Sequence, residues 1–168
     1  DINYGTYPFV TSSSPTSAGV LEGAGVPPQS LTRIIGVAKA YSTRVGEGPY
    51  ITELLGDEGE ALRQKGFEFG ATTGRPRRCG WLDLPVVKQA VRINGLTDIA
   101  MTKIDILTGY DKIPVCVGYE LDGKQIDYVP ASLEVYGRCK PVWKVFDGWT
   151  EDISQIRNYE DLPENCRK

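Results

Sequence analysis

The chain has 168 residues, the length of a single domain, and its content of 40% hydrophobic and 24% charged residues is ordinary for a globular protein. Its formal net charge of −3 at pH 7 disfavours a general nucleic-acid-binding or membrane-surface role. It contains no histidine, which excludes a Ser-His-Asp triad, a Cys-His pair and an HExxH zinc site made from this chain.

The first half of the chain is predicted to form short elements between loops. Residues 1–30 are rich in Gly, Ser, Thr and Pro, a composition typical of loops. Between residues 29 and 39, apolar side chains recur at helical spacing and predict a short helix. The elements predicted here are a strand at 8–11, a helical turn at 18–23, a helix at 29–39, a strand at 40–45 and a charged helix at 57–65 that ends at Gly66.

The second half contains the clearest helix of the chain. Asp83 is its expected N-cap, Pro85 lies in the first turn and Gly95 ends it. The apolar face of this helix consists of Val86, Val87, Ala90 and Val91. Strands are predicted at 98–101, 113–121, 125–129 and 141–146, with Asp122-Gly123 as a hairpin turn. The fold class predicted is therefore α/β, with mixed helices and strands and an antiparallel hairpin appendage.

An arginine-rich loop with the sequence GATTGRPRR, residues 70–78, is the first candidate site. It carries Arg75, Arg77 and Arg78 in an otherwise acidic chain. Guanidinium groups bind carboxylates or phosphates through paired hydrogen bonds, and threonine hydroxyls and glycine-permitted backbone amides add donors. We predict that this loop holds a small anion. The alternative is a solvated basic loop, or one that is paired with acidic neighbours.

The second candidate is Thr102-Lys103-Ile104-Asp105, which follows a predicted strand. An [NT]-K-x-D sequence in this position resembles the guanine-specificity motif of GTP-binding proteins. The aspartate can accept hydrogen bonds from N1–H and the exocyclic amine of guanine, and the lysine stem can lie over the base. The alternative is an ordinary surface pair of lysine and aspartate, which contributes little to stability.

Two glycine- and hydroxyl-rich segments are weaker candidates. Residues 7–13 leave a predicted strand with several hydroxyl groups that could bind a phosphate or a sugar, although ordinary turn chemistry explains them equally. Residues 44–49 contain two glycines that permit close approach of a ligand to the backbone, and a plain loop is the alternative. The chain has no G-x-x-x-x-G-K-[ST] sequence and no acidic cluster with clear Mg²⁺ spacing.

The four cysteines are Cys79, Cys116, Cys139 and Cys166, and none has the spacing of a metal site. Scattered cysteines in an acidic chain predict free, buried thiols in a reducing compartment, which we take as the cytoplasm. No apolar run approaches the ~20 residues of a membrane span, so no membrane association is expected.

Four segments together resemble the adenylosuccinate synthetase family: 5–13, 39–49, 70–83 (GATTGRPRRCGWLD) and 102–105. They occur in the order and at the spacing of that family, and the resemblance covers nearly the whole chain. It implies part of a larger central-sheet nucleotide-binding fold. It also implies a GTP-dependent ligase that joins IMP to L-aspartate, the first committed step from IMP to AMP, with GTP as co-substrate and Mg²⁺ as cofactor.

The resemblance also assigns a ligand to individual residues. Aspartate would be bound by Ala71, Thr72, Thr73, Gly74, Arg75 and Arg77. IMP would be bound by Thr11, Val45 and Arg75. GTP would be bound by Arg77, Lys103, Ile104 and Asp105. Arg78 matches the family's sequence but receives no ligand.

Other parts of the family's active site have no counterpart here. The phosphate-binding glycine loop with its catalytic aspartate and lysine, the catalytic histidine and a second guanine-contacting loop are absent from these 168 residues. We therefore expect residues 1–168 to be a single fragment of a homodimeric enzyme, with no catalytic residue and no metal ligand of its own, and inactive alone. The chain begins with Asp1 rather than Met and ends in the first turn of a predicted helix, which favours the same interpretation.

Two other classes of protein remain as alternatives. The first is a non-catalytic guanine-nucleotide-binding module that kept the anion loop and the guanine motif. The second is an RNA-binding protein that uses the basic loop. The acidic total charge and the lack of aromatic residues among Arg75, Arg77 and Arg78 disfavour RNA, and no nucleic-acid partner is expected.

Overall fold

The computed structural model describes residues 2–168, which contain five helices and eight strands. The helices are α1 (Ser17–Ala24), α2 (Asp57–Gly66), α3 (Leu84–Asn94), α4 (Leu133–Arg138) and α5 (Glu164–Arg167). The strands are β1 (Ile35–Lys39), β2 (Ser42–Arg44), β3 (Arg78–Gly80), β4 (Leu82–Asp83), β5 (Asp98–Thr102), β6 (Lys112–Leu121), β7 (Lys124–Ile126) and β8 (Lys140–Asp147). Single 3-10 turns span Pro28–Ser30, Ile104–Leu107 and Tyr159–Asp161.

Strand β6 is the centre of the largest sheet. It pairs antiparallel with β8 along nearly its whole length and antiparallel with β7, and it pairs parallel with β4. The turn between β6 and β7 places Asp122 and Gly123 at positive φ, 49° and 78°, as a two-residue hairpin requires. The predicted antiparallel hairpin is therefore present, and β8 extends it into a meander.

Two strands distant in sequence, β1 and β5, form a separate parallel pair. Ile35 is opposite Asp98 at one end, and Lys39 is opposite Thr102 at the other. Because the strands are parallel, their C-terminal ends lie side by side. This brings Lys39, the last residue of β1, close to Lys103, the first residue after β5. This pairing sets up the site described below.

Two clusters of buried side chains form the core. The larger joins the residues between β1 and β2, helix α2, strand β3, the start of β6 and the segments that precede β6 and follow β8. It includes Trp81 packed edge-on against Tyr110 at 5.5 Å between ring centroids. The smaller contains Tyr119 on β6 and Tyr136 on α4, again edge-on. In this cluster the Tyr119 hydroxyl donates to the buried carboxylate of Asp83, at 2.7 and 2.8 Å from its two oxygens.

Three helix predictions are confirmed, together with the mixed α/β class. Helix α3 begins after Asp83, whose Oδ1 accepts from the backbone N–H of Val86 at 3.3 Å, and it ends at Gly95 with φ 61°. Helix α2 spans the charged segment as predicted, with acidic residues in its first turn and basic ones in its last. Helix α1 includes the predicted helical turn.

The helix predicted at 29–39 is wrong, because its second half is strand β1 and only Pro28–Ser30 forms a single 3-10 turn. The helical spacing of its apolar residues is overridden by pairing with β5, some 60 positions further along the chain. Gly36 also fits the strand, since a Cβ there would lie 2.3 Å from Cδ1 of Leu96. The strand predicted at 8–11 is also wrong. This segment forms tight turns in which the Phe9 N–H donates to the Thr6 carbonyl at 2.8 Å.

Candidate functional site

The arginine-rich loop is a closed turn that faces solvent. A β-bridge between Phe69 and Pro76 closes its base, and the Gly70 N–H donates to the Arg75 carbonyl at 2.9 Å. Gly74 adopts φ 65°, in the left-handed region where glycine is favoured, and its N–H donates to the Gly70 carbonyl. Residues 71–76 are all exposed. The loop therefore presents its tip, including Thr72, Thr73 and Arg75, to the surface.

The three arginines of the loop have different surroundings. Within residues 2–168, the Arg75 guanidinium has no ion pair, and its backbone N–H donates to Oγ1 of Thr73 at 3.3 Å. Arg77 pairs with the buried Glu68 at 2.6 Å. Arg78 forms a two-pronged pair with Glu53, through its Nε at 2.7 Å and its second terminal nitrogen at 2.6 Å. Arg75 is thus the arginine left available for a ligand.

Arg78 has a positioning role that the sequence left unassigned. Its remaining terminal nitrogen donates to the carbonyl oxygens of Gly46 and Gly48, both at 3.0 Å. These carbonyls belong to the turn that follows Val45, so Arg78 ties that turn to the strand leaving the arginine loop. The pair with Glu53 raises the pKa of Arg78, against the effect of burial, and keeps the guanidinium charged.

Glu68 lies within 4 Å of cationic side chains from three separate segments of the chain. Its side chain is fully buried, and it accepts from Lys39 Nζ at 3.0 Å, from the Tyr41 hydroxyl at 2.6 Å and from Arg77 at 2.6 Å. Lys103 Nζ lies 3.6 Å away. Burial alone would raise the pKa of Glu68, but these hydrogen bonds outweigh it and lower the pKa to about 2. One carboxylate therefore faces three cations, which leaves excess positive charge at the base of the loop.

The second predicted motif lies beside this cluster. Lys103 adopts φ 60° immediately after β5, and its Nζ donates to the Gly66 carbonyl at the end of α2, at 2.5 Å. Ile104 packs against the larger core cluster, which fixes the turn. Asp105 is exposed in that turn. The structure thus brings Lys103 and Arg77 to different oxygens of the Glu68 carboxylate, whereas Asp105 is exposed to solvent.

Two of the three candidate residues for IMP, Thr11 and Val45, line one cavity of 580 Å³. Val45 is 64% exposed, and Thr11 is exposed as well. Arg44 holds the two segments together, since it donates to Oγ1 of Thr6 at 2.8 Å and to the Glu47 carbonyl at 3.0 Å. Among the described residues, the lining of this cavity does not include Arg75. Helix α3 supplies the opposite wall.

Sequence reasoning missed the acidic partners of the arginines and the role of Arg44. Glu53 and Glu68 lie in stretches with no motif, and only the fold brings them to the arginine loop. No sequence pattern identifies either glutamate as a partner of the arginines. Arg44 belongs to the segment 44–49, where the glycines alone indicate a binding role.

In the part of the chain that the structure describes, no group of three or more Cys, Asp or Glu side chains is arranged to hold a metal ion. The four cysteines are free thiols, three of them buried, and burial raises the pKa of each. No helix between residues 2 and 168 has the length and apolar character needed to cross a membrane.

The sequence profile of the adenylosuccinate synthetase family matches residues 1–168. The chain belongs to the adenylosuccinate synthetase family. It is 61% identical over 167 residues to the adenylosuccinate synthetase of Clostridium novyi, covering 99% of this chain and 39% of that protein. It is 60% identical over 168 residues to that of Fusobacterium nucleatum, covering 100% of this chain and 40% of the relative.

A solved structure shows the same fold. The fully ligated adenylosuccinate synthetase from Plasmodium falciparum superposes with a TM-score of 0.95 at 44% sequence identity, over 99% of this chain and 40% of that one. The mixed α/β arrangement described above is therefore part of the adenylosuccinate synthetase fold. The chain spans about two fifths of the length of the relatives that it matches.

Proposed function

We propose that this chain is the part of an adenylosuccinate synthetase that carries the aspartate loop, one wall of the IMP site and the guanine-reading motif. The complete enzyme joins IMP to L-aspartate at the expense of GTP, in purine and AMP biosynthesis. The observation that carries the proposal is the convergence of the arginine loop and the Thr102–Asp105 motif on Glu68. Family membership supplies the reaction.

In the proposed reaction, GTP first phosphorylates the 6-oxygen of IMP. The aspartate amine then displaces that phosphate, so that the products are adenylosuccinate, GDP and phosphate. This chain binds and orients the reactants. Arg75, which has no ion pair of its own in the described residues, binds the aspartate carboxylate with help from the hydroxyls and amides of Thr72 and Thr73, in the exposed tip that also contains Ala71 and Gly74.

The other ligands occupy neighbouring surfaces in this proposal. Asp105 accepts from guanine, the Lys103 stem and Ile104 flank the base, and Arg77 lies between the aspartate and GTP sites. Thr11 contacts the IMP phosphate, and the Val45 backbone approaches the ribose, which is consistent with their shared cavity. Mg²⁺ would neutralise phosphate charge, but no cluster of acidic ligands for it occurs among the described residues, so no step is assigned to it here.

The experiment is an assay of the complete protein that contains this chain, supplied with IMP, aspartate, GTP and Mg²⁺. We expect adenylosuccinate to form, and to require all three substrates. The 168-residue chain alone, used as a parallel sample, is expected to form none. Failure of the complete protein to make adenylosuccinate would contradict the proposal. Activity of the isolated chain would contradict the statement that catalysis requires the rest of the enzyme.

A non-catalytic guanine-nucleotide-binding module is the second candidate, favoured by the exposed Asp105 and the absence of any catalytic group in this stretch. The intact mass of the natural protein separates the two. A mass near 18.5 kDa favours the module. A mass more than twice as large favours the enzyme, which we propose to be cytoplasmic and homodimeric, with no nucleic-acid or membrane partner.

A further inference from the structure

Glu68 is a buried carboxylate that is surrounded by cations from three separate segments of the chain. Its three cationic partners come from β1, from the arginine loop and from the end of β5. Their side chains are 27%, 31% and 38% exposed, for Lys39, Arg77 and Lys103 in that order, whereas the Glu68 carboxylate is fully buried. The charged ends of these side chains therefore lie at the surface, with the carboxylate behind them.

Each cation also has a second contact that fixes its direction. Lys39 donates to Oγ1 of Thr43 at 2.6 Å, and Lys103 donates to the Gly66 carbonyl at 2.5 Å. Arg77 uses one terminal nitrogen on Glu68, and its backbone N–H donates to the Glu68 carbonyl at 3.0 Å. A guanidinium has five N–H donors, so Arg77 keeps donors for a ligand while it is held.

We infer that Glu68 is a positioning residue that sets the aspartate loop and the guanine motif relative to one another. The inference rests on the function proposed above. Glu68 touches no substrate in this scheme and acts through Arg77 and Lys103. Because the two cations share one buried anion, displacement of either changes the electrostatic environment of the other. The two sites are coupled by this shared carboxylate rather than by contact between the ligands.

The test uses Glu68→Gln and Glu68→Asp in the complete enzyme. Glutamine keeps the shape of the side chain but removes its charge, and aspartate keeps the charge on a shorter stem. We expect Glu68→Gln to raise the KM for aspartate and the KM for GTP together, each about tenfold, because the charge-assisted hydrogen bonds that hold Arg77 and Lys103 are weakened. The KM for IMP should change by less than about threefold. Glu68→Asp should restore part of both losses.

Glu160→Gln is the matched control. It makes the same chemical change in an exposed pair with Arg167, at 2.9 Å, on a different part of the chain. It should leave all three KM values as they are. A Glu68→Gln enzyme that loses only kcat or thermal stability, with both KM values unchanged, would overturn the inference and leave the proposed function in place.

Inactivity of the unsubstituted enzyme would overturn the proposed function and the inference with it. If the Glu68 variants do not fold, the coupling is measured with Glu68 intact, by combining Arg77→Gln with Lys103→Gln. Independent residues would give effects on the KM for GTP that multiply. A combined effect well below the product supports the shared carboxylate, and a simple product overturns it.

Discussion

Replacement of Arg78 by lysine should weaken IMP binding more than binding of the other substrates. Arg78 donates four hydrogen bonds, two to the Glu53 carboxylate and one each to the carbonyls of Gly46 and Gly48. A lysine ammonium has its three N–H donors on one nitrogen, so it can keep the pair with Glu53 but cannot also reach both carbonyls as the three nitrogens of the guanidinium do. The turn that follows Val45 would then lose its contacts with Arg78 and keep only the hydrogen bond from Arg44 to the Glu47 carbonyl.

The magnitude follows from the two carbonyl contacts. A hydrogen bond from a charged donor contributes roughly 1.5–3 kcal/mol, and water can replace part of that because Arg78 is 29% exposed. Loss of both contacts should cost about 2 kcal/mol, or up to about a 30-fold rise in the KM for IMP if ordering of the turn is needed for binding. The KM values for aspartate and GTP should change much less.

The assay is initial-rate kinetics of the complete enzyme with each substrate varied in turn. Arg33→Lys is the matched control, because Arg33 forms a comparable two-pronged pair with Asp98, at 2.9 and 3.1 Å, on an exposed surface. It should leave all three KM values unchanged. An unaltered KM for IMP in Arg78→Lys, or an equal rise in all three, would refute the anchoring role.

Three further predictions concern the loop, the guanine motif and the cluster behind them. Arg75→Leu should raise the KM for aspartate by more than tenfold, because leaving a carboxylate unpaired in a desolvated site costs roughly 2–5 kcal/mol. Steady-state kinetics measures this change, and an equal rise in the KM for every substrate would count against the assignment. Asp105→Asn should reduce the preference for GTP over ITP, which lacks the exocyclic amine, and an unchanged ratio of kcat/KM would rule out its role with guanine. The pKa of Glu68 in the folded chain, about 2, lies below its ordinary value of 4.5, so its stabilising contribution is present above pH 4.5 and is lost as the pH falls towards 2. Glu68→Gln should flatten this part of the stability curve measured by denaturant unfolding between pH 5 and 3, and parallel curves would contradict the assignment.

Local signals predicted the elements whose ends are set by their own residues. Helix α3 is an example, because the Asp83 cap and the terminal Gly95 act within the helix itself. The β6–β7 hairpin is another, since Asp122-Gly123 determines its turn. The segment that became β1 failed because its structure depends on a partner strand about 60 residues later, which no local pattern encodes.

For the candidate site as well, local motifs could be predicted from the sequence but their arrangement in space could not. The arginine loop and the Thr102–Asp105 motif could be found from sequence because their chemistry lies in consecutive residues. Their proximity could not, since Glu68 accepts from residues 39, 41 and 77, and only the parallel pairing of β1 with β5 brings Lys39 and Lys103 to one edge. The ligand proposed for each residue comes from the family resemblance. The ion-pair partners of the arginines, Glu53 and Glu68, are seen only in the structure.

An acidic chain can still present a cationic surface if its carboxylates are placed behind its cations. Glu53 and Glu68 each form an ion pair with a loop arginine, and the hydrogen bonds that Glu68 accepts lower its pKa despite its burial. Such a pair orients its arginine but also cancels part of the charge. Arg75 has no such partner in the described residues, so no neighbouring carboxylate cancels its charge. In the described residues, the loop therefore combines two paired arginines at its base with one unpaired arginine at its tip, an arrangement that fits the small ligand with two carboxylates proposed above.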